Sequence, residues 1–295
     1  MRRAFHLKRI LIPFDFSDTA SLALEHGVFM AKLAKAEITL LHVIESYSFA
    51  SAITNAFSKT QSEYEEKVET SANDKFREMA DKIHHESGVV VNYQTVRGKI
   101  YKAIVSAAKD SETDIIIMGT HGTSGFQEYL VGSNTYKVVS SAPCPVISVQ
   151  THAKKIGFHD IVMPIDNSST SRQKVPLVIE LAKKYKSVVH IAGMMNFTDV
   201  DLQRRFEVKV HQVKDFVEEH EVAHTVKIFK GENPTTTLID YSTQINADLM
   251  VIMTDQEGSG MFMGSAAQQL VNHSSIPIMS IRPDEGDPDK ISVGY

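Results

Sequence analysis

The stretch RILIPFDFSDTA at 9–20 returns as DIVMPIDNSSTS at 160–171, which sets Pro13 against Pro164, Asp15 against Asp166 and Ser17 against Ser168. TVRGKIYKAIVSAAKDSETDIIIMGT (95–120) returns as KIFKGENPTTTLIDYSTQINADLMVIMT (227–254), one residue longer between Gly231 and Asp248. GSNTYKVVSSAPCPVISV (132–149) returns as GSAAQQLVNHSSIPIMSI (264–281) without a gap. Three matches in one order make the chain a tandem duplication, joined near QTHAKKIGF (150–158). Whatever one half folds into must suit the other as well. At 295 residues the chain has room for two domains of ordinary size, expected over 1–150 and 151–295.

Each half repeats one grammar. RILIPFD is a short apolar run that ends in a polar turn, the pattern of a buried parallel strand. Ser17 stands where a helix N-cap belongs, and Ala20, Leu24, Val28 and Ala31 follow at helical spacing. EITLLHVIE reads as a second strand, the charged run SEYEEKVETSANDKFREMADKIHHE as a long helix, and VVVNYQTVRG as a third strand. KIYKAIVSAAKDSET is a helix, DIIIMG a fourth strand, SNTYKVVSSA a helix and CPVISVQ a fifth strand. Strands alternating with helices predict an α/β fold: two tandem doubly wound domains, each a five-stranded mainly parallel sheet with helices on both faces. Ligands of such sheets bind at the carboxyl ends of the strands. Asp15, Val43 and the loop from Gly119 all fall there.

Composition narrows the partners. Apolar residues make up 42% and charged residues 23%, with a formal net charge of −5 and no long block of like charge. Nothing here predicts a nucleic-acid face. The opening MRRAFHLKRILIPFDF breaks its apolar run at Pro13 and Asp15, so it reads neither as a signal peptide nor as a membrane span. Cys144 is the single cysteine, which rules out an intrachain disulfide and fits a reducing cytoplasm.

The loop after the fourth strand carries the chemistry. It has neither G-x-x-x-x-G-K-[ST] nor G-x-G-x-x-G. It shows Gly119, Gly122, then Gly132 and Ser133, placed between a strand and a helix. With Asp15 on the first strand and LLHVIE on the second, this pattern resembles the universal stress protein family, specifically its ATP-binding subgroup, over both halves. The resemblance implies an adenine-nucleotide α-hydrolase-like fold and a site made of Pro13, Phe14, Asp15, Val43, Met118, Gly119, His121, Gly122, Gly132, Ser133 and Asn134. It implies ATP as ligand, with AMP or ADP as alternatives and Mg2+ held mainly by the phosphates. Gly119 and Gly122 would turn backbone N–H groups toward phosphate, and the helix opening at Ser133 would favour an anion. Asp15 would take the nucleoside end, because a carboxylate beside triphosphate is repelled. Val43 would hold the adenine edge through its backbone. The plainer alternative makes Asp15 a helix cap and Gly132–Ser133 a helix start. The resemblance also implies pairing through the last strands, here CPVISVQ with IPIMSIR inside one chain, and it allows a homodimer.

The second half departs from the pattern. Asp166 and the pair Gly264–Ser265 remain, but Met253 replaces Gly119 and Gln256 replaces Gly122. The loop is two residues shorter and carries Asp255 and Glu257. One ATP per chain is therefore expected. HEVAH (220–224) matches a zinc-protease motif, yet the repeat puts it at a helix end leading into a strand, where both histidines cannot share one helical face. His84 and His85 read as exposed helix-end residues, Cys144 as a small buried apolar residue, and the sequons at Asn196 and Asn272 as chance matches. Between Gly122 and Gly132 there is no Lys or Arg, Thr123 follows the second glycine, and Lys137 lies a turn into the helix. Fast phosphoryl transfer needs positioned cations. A binding module is thus the leading expectation, with a slow ATP hydrolase or nucleotide-handling enzyme as the alternative.

Overall fold

The computed structural model describes residues 7–45, 55–121, 132–153, 155–231, 233–254 and 265–283, with backbone only over 55–64. The first half runs β1 (Arg9–Pro13), α1 (Asp18–Ala34), β2 (Glu37–Glu45), α2 (Asn55–Ser87), β3 (Val91–Gly98), α3 (Ile100–Asp110), β4 (Ile115–Gly119), α4 (Ser133–Ser141) and β5 (Val146–Val149). The second half repeats the order with β6 (Asp160–Ile165), α5 (Val175–Tyr185), β7 (Val188–Met195), α6 (Val200–Glu219), β8 (His224–Lys230), α7 (Pro234–Gln244), β9 (Leu249–Met253), α8 (Ser265–His273) and β10 (Ile278–Ile281). Both halves are doubly wound, and their strands form one sheet in the order β3-β2-β1-β4-β5-β10-β9-β6-β7-β8. Every pairing is parallel except β5 with β10, which run antiparallel with Ile147 opposite Met279.

The strands are apolar on both faces because helices cover both. Ile10, Ile12, Ile38, Leu40, Ile115 and Ile117 pack toward α1 and α2, while Leu11, Leu41, Ile116 and Met118 pack toward α3 and α4. The two core layers continue through the second half, under α5 and α6 on one face and α7 and α8 on the other. Alternate residues of each strand thus feed opposite layers. At the seam, α1 meets α5. His26 and Phe29 from α1 meet Phe158 and Tyr185, with the Phe158 and Tyr185 rings 5.4 Å apart and edge-on.

A carboxylate pins the amino end of the central strand in each half. Asp114 Oδ2 accepts from the amides of Lys8 and Arg9, both at 2.8 Å. Asp248 Oδ2 accepts from those of His159 and Asp160, at 2.8 and 2.9 Å. Charged acceptors of this kind are stronger than neutral ones. The two aspartates occupy matching positions of the repeat.

The halves differ after their first strands. Ser17 caps α1, accepting from the amide of Ala20, and α1 starts at Asp18. The counterpart of Asp18 is Ser169, yet α5 starts only at Val175. Pro176 is the reason: its ring would collide with the carbonyl four residues earlier, so the helix begins beside it. Residues 166–174 remain a polar turn. Among the described residues, no helix is long and apolar enough to cross a membrane.

Candidate functional site

A cavity of about 460 Å3 opens at the carboxyl ends of β1, β2 and β4. Its lining includes Pro13, Phe14, Asp15, Val43, Met118, Gly119, His121, Gly132, Ser133 and Asn134. The structure brings these sequence-derived candidates together although they span more than a hundred residues of chain. Gly122, the eleventh, lies outside the described residues. A wider depression of about 660 Å3 runs along α2, lined by polar side chains such as Glu66, Lys67, Asp74 and Glu78. That is a solvated helix face, without the convergence of strand ends that marks the first cavity.

Each wall has a local cause. Phe14 continues β1, its amide donating to Leu41 O at 2.8 Å, and its carbonyl lies 2.9 Å from His42 Nδ1. Asp15 Oδ1 accepts from Ser17 Oγ at 2.6 Å and from Ser17 N at 3.1 Å. Ser17 in turn is the cap of α1, so the carboxylate orients the cap and is not itself the cap. Between them Phe16 adopts φ 66°, a left-handed conformation that costs a non-glycine residue about 1–2 kcal/mol. An aromatic cage holds it there: Phe14 edge-on at 5.3 Å, Phe76 stacked at 5.2 Å and Lys75 Nζ 5.0 Å over the ring.

Gly119 is glycine for a reason the sequence did not show. A Cβ there would stand 2.6 Å from Thr19 Oγ1, 2.8 Å from Thr19 Cβ and 3.0 Å from the Thr19 backbone. The first turn of α1 lies directly against the end of β4, and Thr19 Oγ1 donates to the carbonyl of His121. The expectation that Gly119 serves phosphate approach therefore has a competing packing role at the same atom. Gly132 is likewise pressed on Thr120, its amide donating to Thr120 O at 2.8 Å. Thr135 Oγ1 donates to Gly119 O at 3.1 Å. Thr19, Thr120 and Thr135 thus brace the loop, and of the three only Thr120, beside Gly119, carried a signal in the sequence.

The cavity is polarised. Asp15 follows β1 and Glu45 ends β2, whereas α4 begins after β4, on the other side of β1. Gly132 caps α4 without any side-chain hydrogen bond, as is also true at the starts of α3 and α5, while α1, α6 and α7 are capped by Ser17, Asp199 and Asn233. Gly132, Ser133 and Asn134 line the cavity, so the start of α4 and its positive dipole end border it. His121 Nδ1 lies 3.0 Å from Thr120 Oγ1, and its buried Nε2 has no partner among the described residues. Among the described lining residues there is no Lys or Arg. Lys137 reaches the ring of Tyr101 instead, at 5.2 Å. An orphaned imidazole nitrogen and an uncapped helix end suit an anionic group at the β4 side. The acidic residues suit hydroxyl and N–H donors at the other.

The remaining motifs resolve into structure. His220 ends α6 and His224 opens β8, with Glu221 between them at φ 57°. No helical face presents both histidines, and no group of three or more metal-binding side chains occurs among the described residues. Burial pushes the Cys144 thiol up to about 12, the nearby Asp114 charge adding to it, so the thiolate is suppressed. His190, buried in β7, is satisfied on both nitrogens, by Asp160 Oδ1 and Thr225 Oγ1 at 2.9 Å each.

Fold and cavity together define an α/β protein with a cavity at the switch point of its first half. The family model described as the universal stress protein family matches twice, over residues 6–150 and 157–282. The chain belongs to that family. A universal stress protein of Methanocaldococcus jannaschii is 32% identical over 154 residues, spanning 48% of this chain and 94% of the relative. One named YxiE, from Bacillus subtilis, is 26% identical over 145 residues, 48% of this chain and 98% of the relative. The crystal structure of a universal stress protein from Archaeoglobus fulgidus superposes with a TM-score of 0.76 over 94% of this chain and 99% of that one. At 20% identity that likeness concerns the fold.

Proposed function

We propose that the chain is an ATP-binding module of the stress response or of signalling, with one competent nucleotide site in the domain formed by residues 1–150. The observation that carries this reading is the polarised cavity. Its β1–β2 side offers the Asp15 carboxylate and the backbone at Val43 to a nucleoside. Its β4 side offers the open end of α4, Ser133, Asn134 and the unpartnered Nε2 of His121 to phosphate. No lysine or arginine lines the described walls, so Mg2+ would balance the triphosphate from the phosphate side. AMP and ADP fit the same chemistry with less charge. The domain formed by 151–295 keeps Asp166 but has the buried Met253 where Gly119 stands, and acts as partner through β10. The cytoplasm is the compartment this reading assigns.

Slow hydrolysis is the second reading. It is disfavoured because nothing on the described walls supplies a cation to the transition state. Calorimetric titration with Mg–ATP tests the proposal. One site per chain, with turnover at background, is expected. Absence of binding overturns the nucleotide reading, and two equivalent sites overturn its confinement to the first half.

A further inference from the structure

The corner that holds the aromatic cage in the first half holds two cations in the second. Asn167 takes the place of Phe16 and Arg172 that of Ser21. Lys209, on α6, donates from Nζ to the carbonyls of Asn167 and Ser168, at 3.0 and 3.2 Å. Arg172 donates from Nη1 to Gln212 Oε1 at 3.1 Å. All three acceptors are neutral. Among the described residues neither cation forms an ion pair.

The carboxylate that bears on Lys209 is Asp166, and its Oδ1 already accepts from the amide of Ser168 at 2.8 Å. Burial, then the Arg172 charge, hold the Lys209 amine below the ordinary lysine range, with Asp166 pulling the other way. Two like charges in a half-buried corner, hydrogen-bonded to neutral acceptors and offset by the one carboxylate of Asp166, leave a net positive field that an anion would relieve. The turn is open to solvent at Asn167 and Ser169. The hydroxyls of Ser168 and Thr170, 3.4 Å apart, stand on that same turn.

We propose that Arg172 and Lys209, with the hydroxyls of Ser168 and Thr170, form an anion site of the second half that takes a tetrahedral phosphate group. The donor set favours phosphate over carboxylate. A guanidinium fork engages two oxygens, an ammonium a third as a point charge, and hydroxyls complete the tetrahedron, whereas a carboxylate has only the two oxygens of the fork. The group is either free inorganic phosphate or the phosphate of a nucleotide. This site is built on the β6–α5 turn and α6, so it stands or falls apart from the ATP site of the first half.

The test is a titration of the full-length, 15N-labelled chain with inorganic phosphate, read at the backbone amides of 166–172. Saturable shifts are expected there. Arg172→Gln and Lys209→Met should each weaken binding about tenfold, the scale of a lost charge-assisted contact. Lys75→Met, in the cage of the first half, should leave it unchanged. Dispersed spectra certify that a variant is folded, and if Lys209→Met is not, Arg172→Gln decides. AMP binding these amides more tightly than phosphate assigns the group to a nucleotide, and weaker binding assigns it to the free ion. Adenosine should not move them. Shifts that never saturate, that persist in both variants, or that adenosine alone produces overturn the proposal.

Discussion

The turn after β1 and the turn after β6 descend from one sequence and have gone separate ways. The first closes early: Asp15 binds Ser17, Ser17 caps α1, and Thr19 on the first turn presses against Gly119. The cavity opens beside that contact, at the ends of β1, β2 and β4. The second closes late, because Pro176 holds off the start of α5, and Met253 fills the position of Gly119 with a buried side chain. A helix start and a single glycine, set against each other across the sheet, distinguish the turn that borders the cavity of the first half from the turn that carries Arg172 in the second. Both halves nonetheless keep the same aspartate clamp and the same sheet order.

The seam gives the largest effect by which to probe this comparison. Phe158→Ala should cost about 3–5 kcal/mol, because the ring is fully buried between α1 and α5 and truncation leaves a cavity. Denaturant unfolding should show one transition, shifted; two separated transitions would mean that the halves are stable apart.

The glycine exchange comes next. Gly119→Ala should destabilise by about 1–3 kcal/mol, since the new methyl meets the side chain and backbone of Thr19. The paired change Thr19→Ala,Gly119→Ala should recover only part of that loss, because it removes the Thr19 Oγ1 contact while the Cβ and backbone remain. A Gly119→Ala protein as stable as the parent would refute the packing role assigned to this glycine.

Asp15→Ala should weaken ATP binding by about 1–3 kcal/mol, the scale of a lost charged hydrogen bond, while Asp166→Ala leaves the ATP titration unchanged. Equal losses from the two substitutions would place nucleotide in both halves.

The smallest effect is a pH dependence seated in the seam. His26 is fully buried, its Nε2 lies 3.1 Å from Ala153 O, and its Nδ1 has no partner among the described residues. Burial holds its pKa below 6.5, against the raising influence of the Ala153 carbonyl and of the Glu25 and Asp248 charges. The unfolded chain then binds the proton more readily than the folded one. Its contribution is therefore fully favourable above pH 6.5 and is lost as pH falls toward the folded value, at up to about 1.4 kcal/mol per pH unit. His26→Gln should flatten that part of the stability profile, and an unchanged slope would remove His26 as its source.

Much of this was legible before any coordinates. Duplication came from three ordered matches, and the strand–helix alternation from apolar runs bounded by polar turns. EITLLHVIE and β2 coincide residue for residue. The cavity was legible too, because ligands of doubly wound sheets gather at strand ends, and strand ends can be read locally. The sequence alone determined which residues stand at those ends, since periodicity records which side of an element is buried. Only the tertiary structure decided why Gly119 must lack a side chain, what Asp114 and Asp248 hold, and how Arg172 comes to face Lys209. Each depends on atoms from distant stretches meeting across a packed sheet. A pattern of neighbours along the chain carries no distance between Thr19 and Gly119; that distance exists only once β1 and β4 lie side by side.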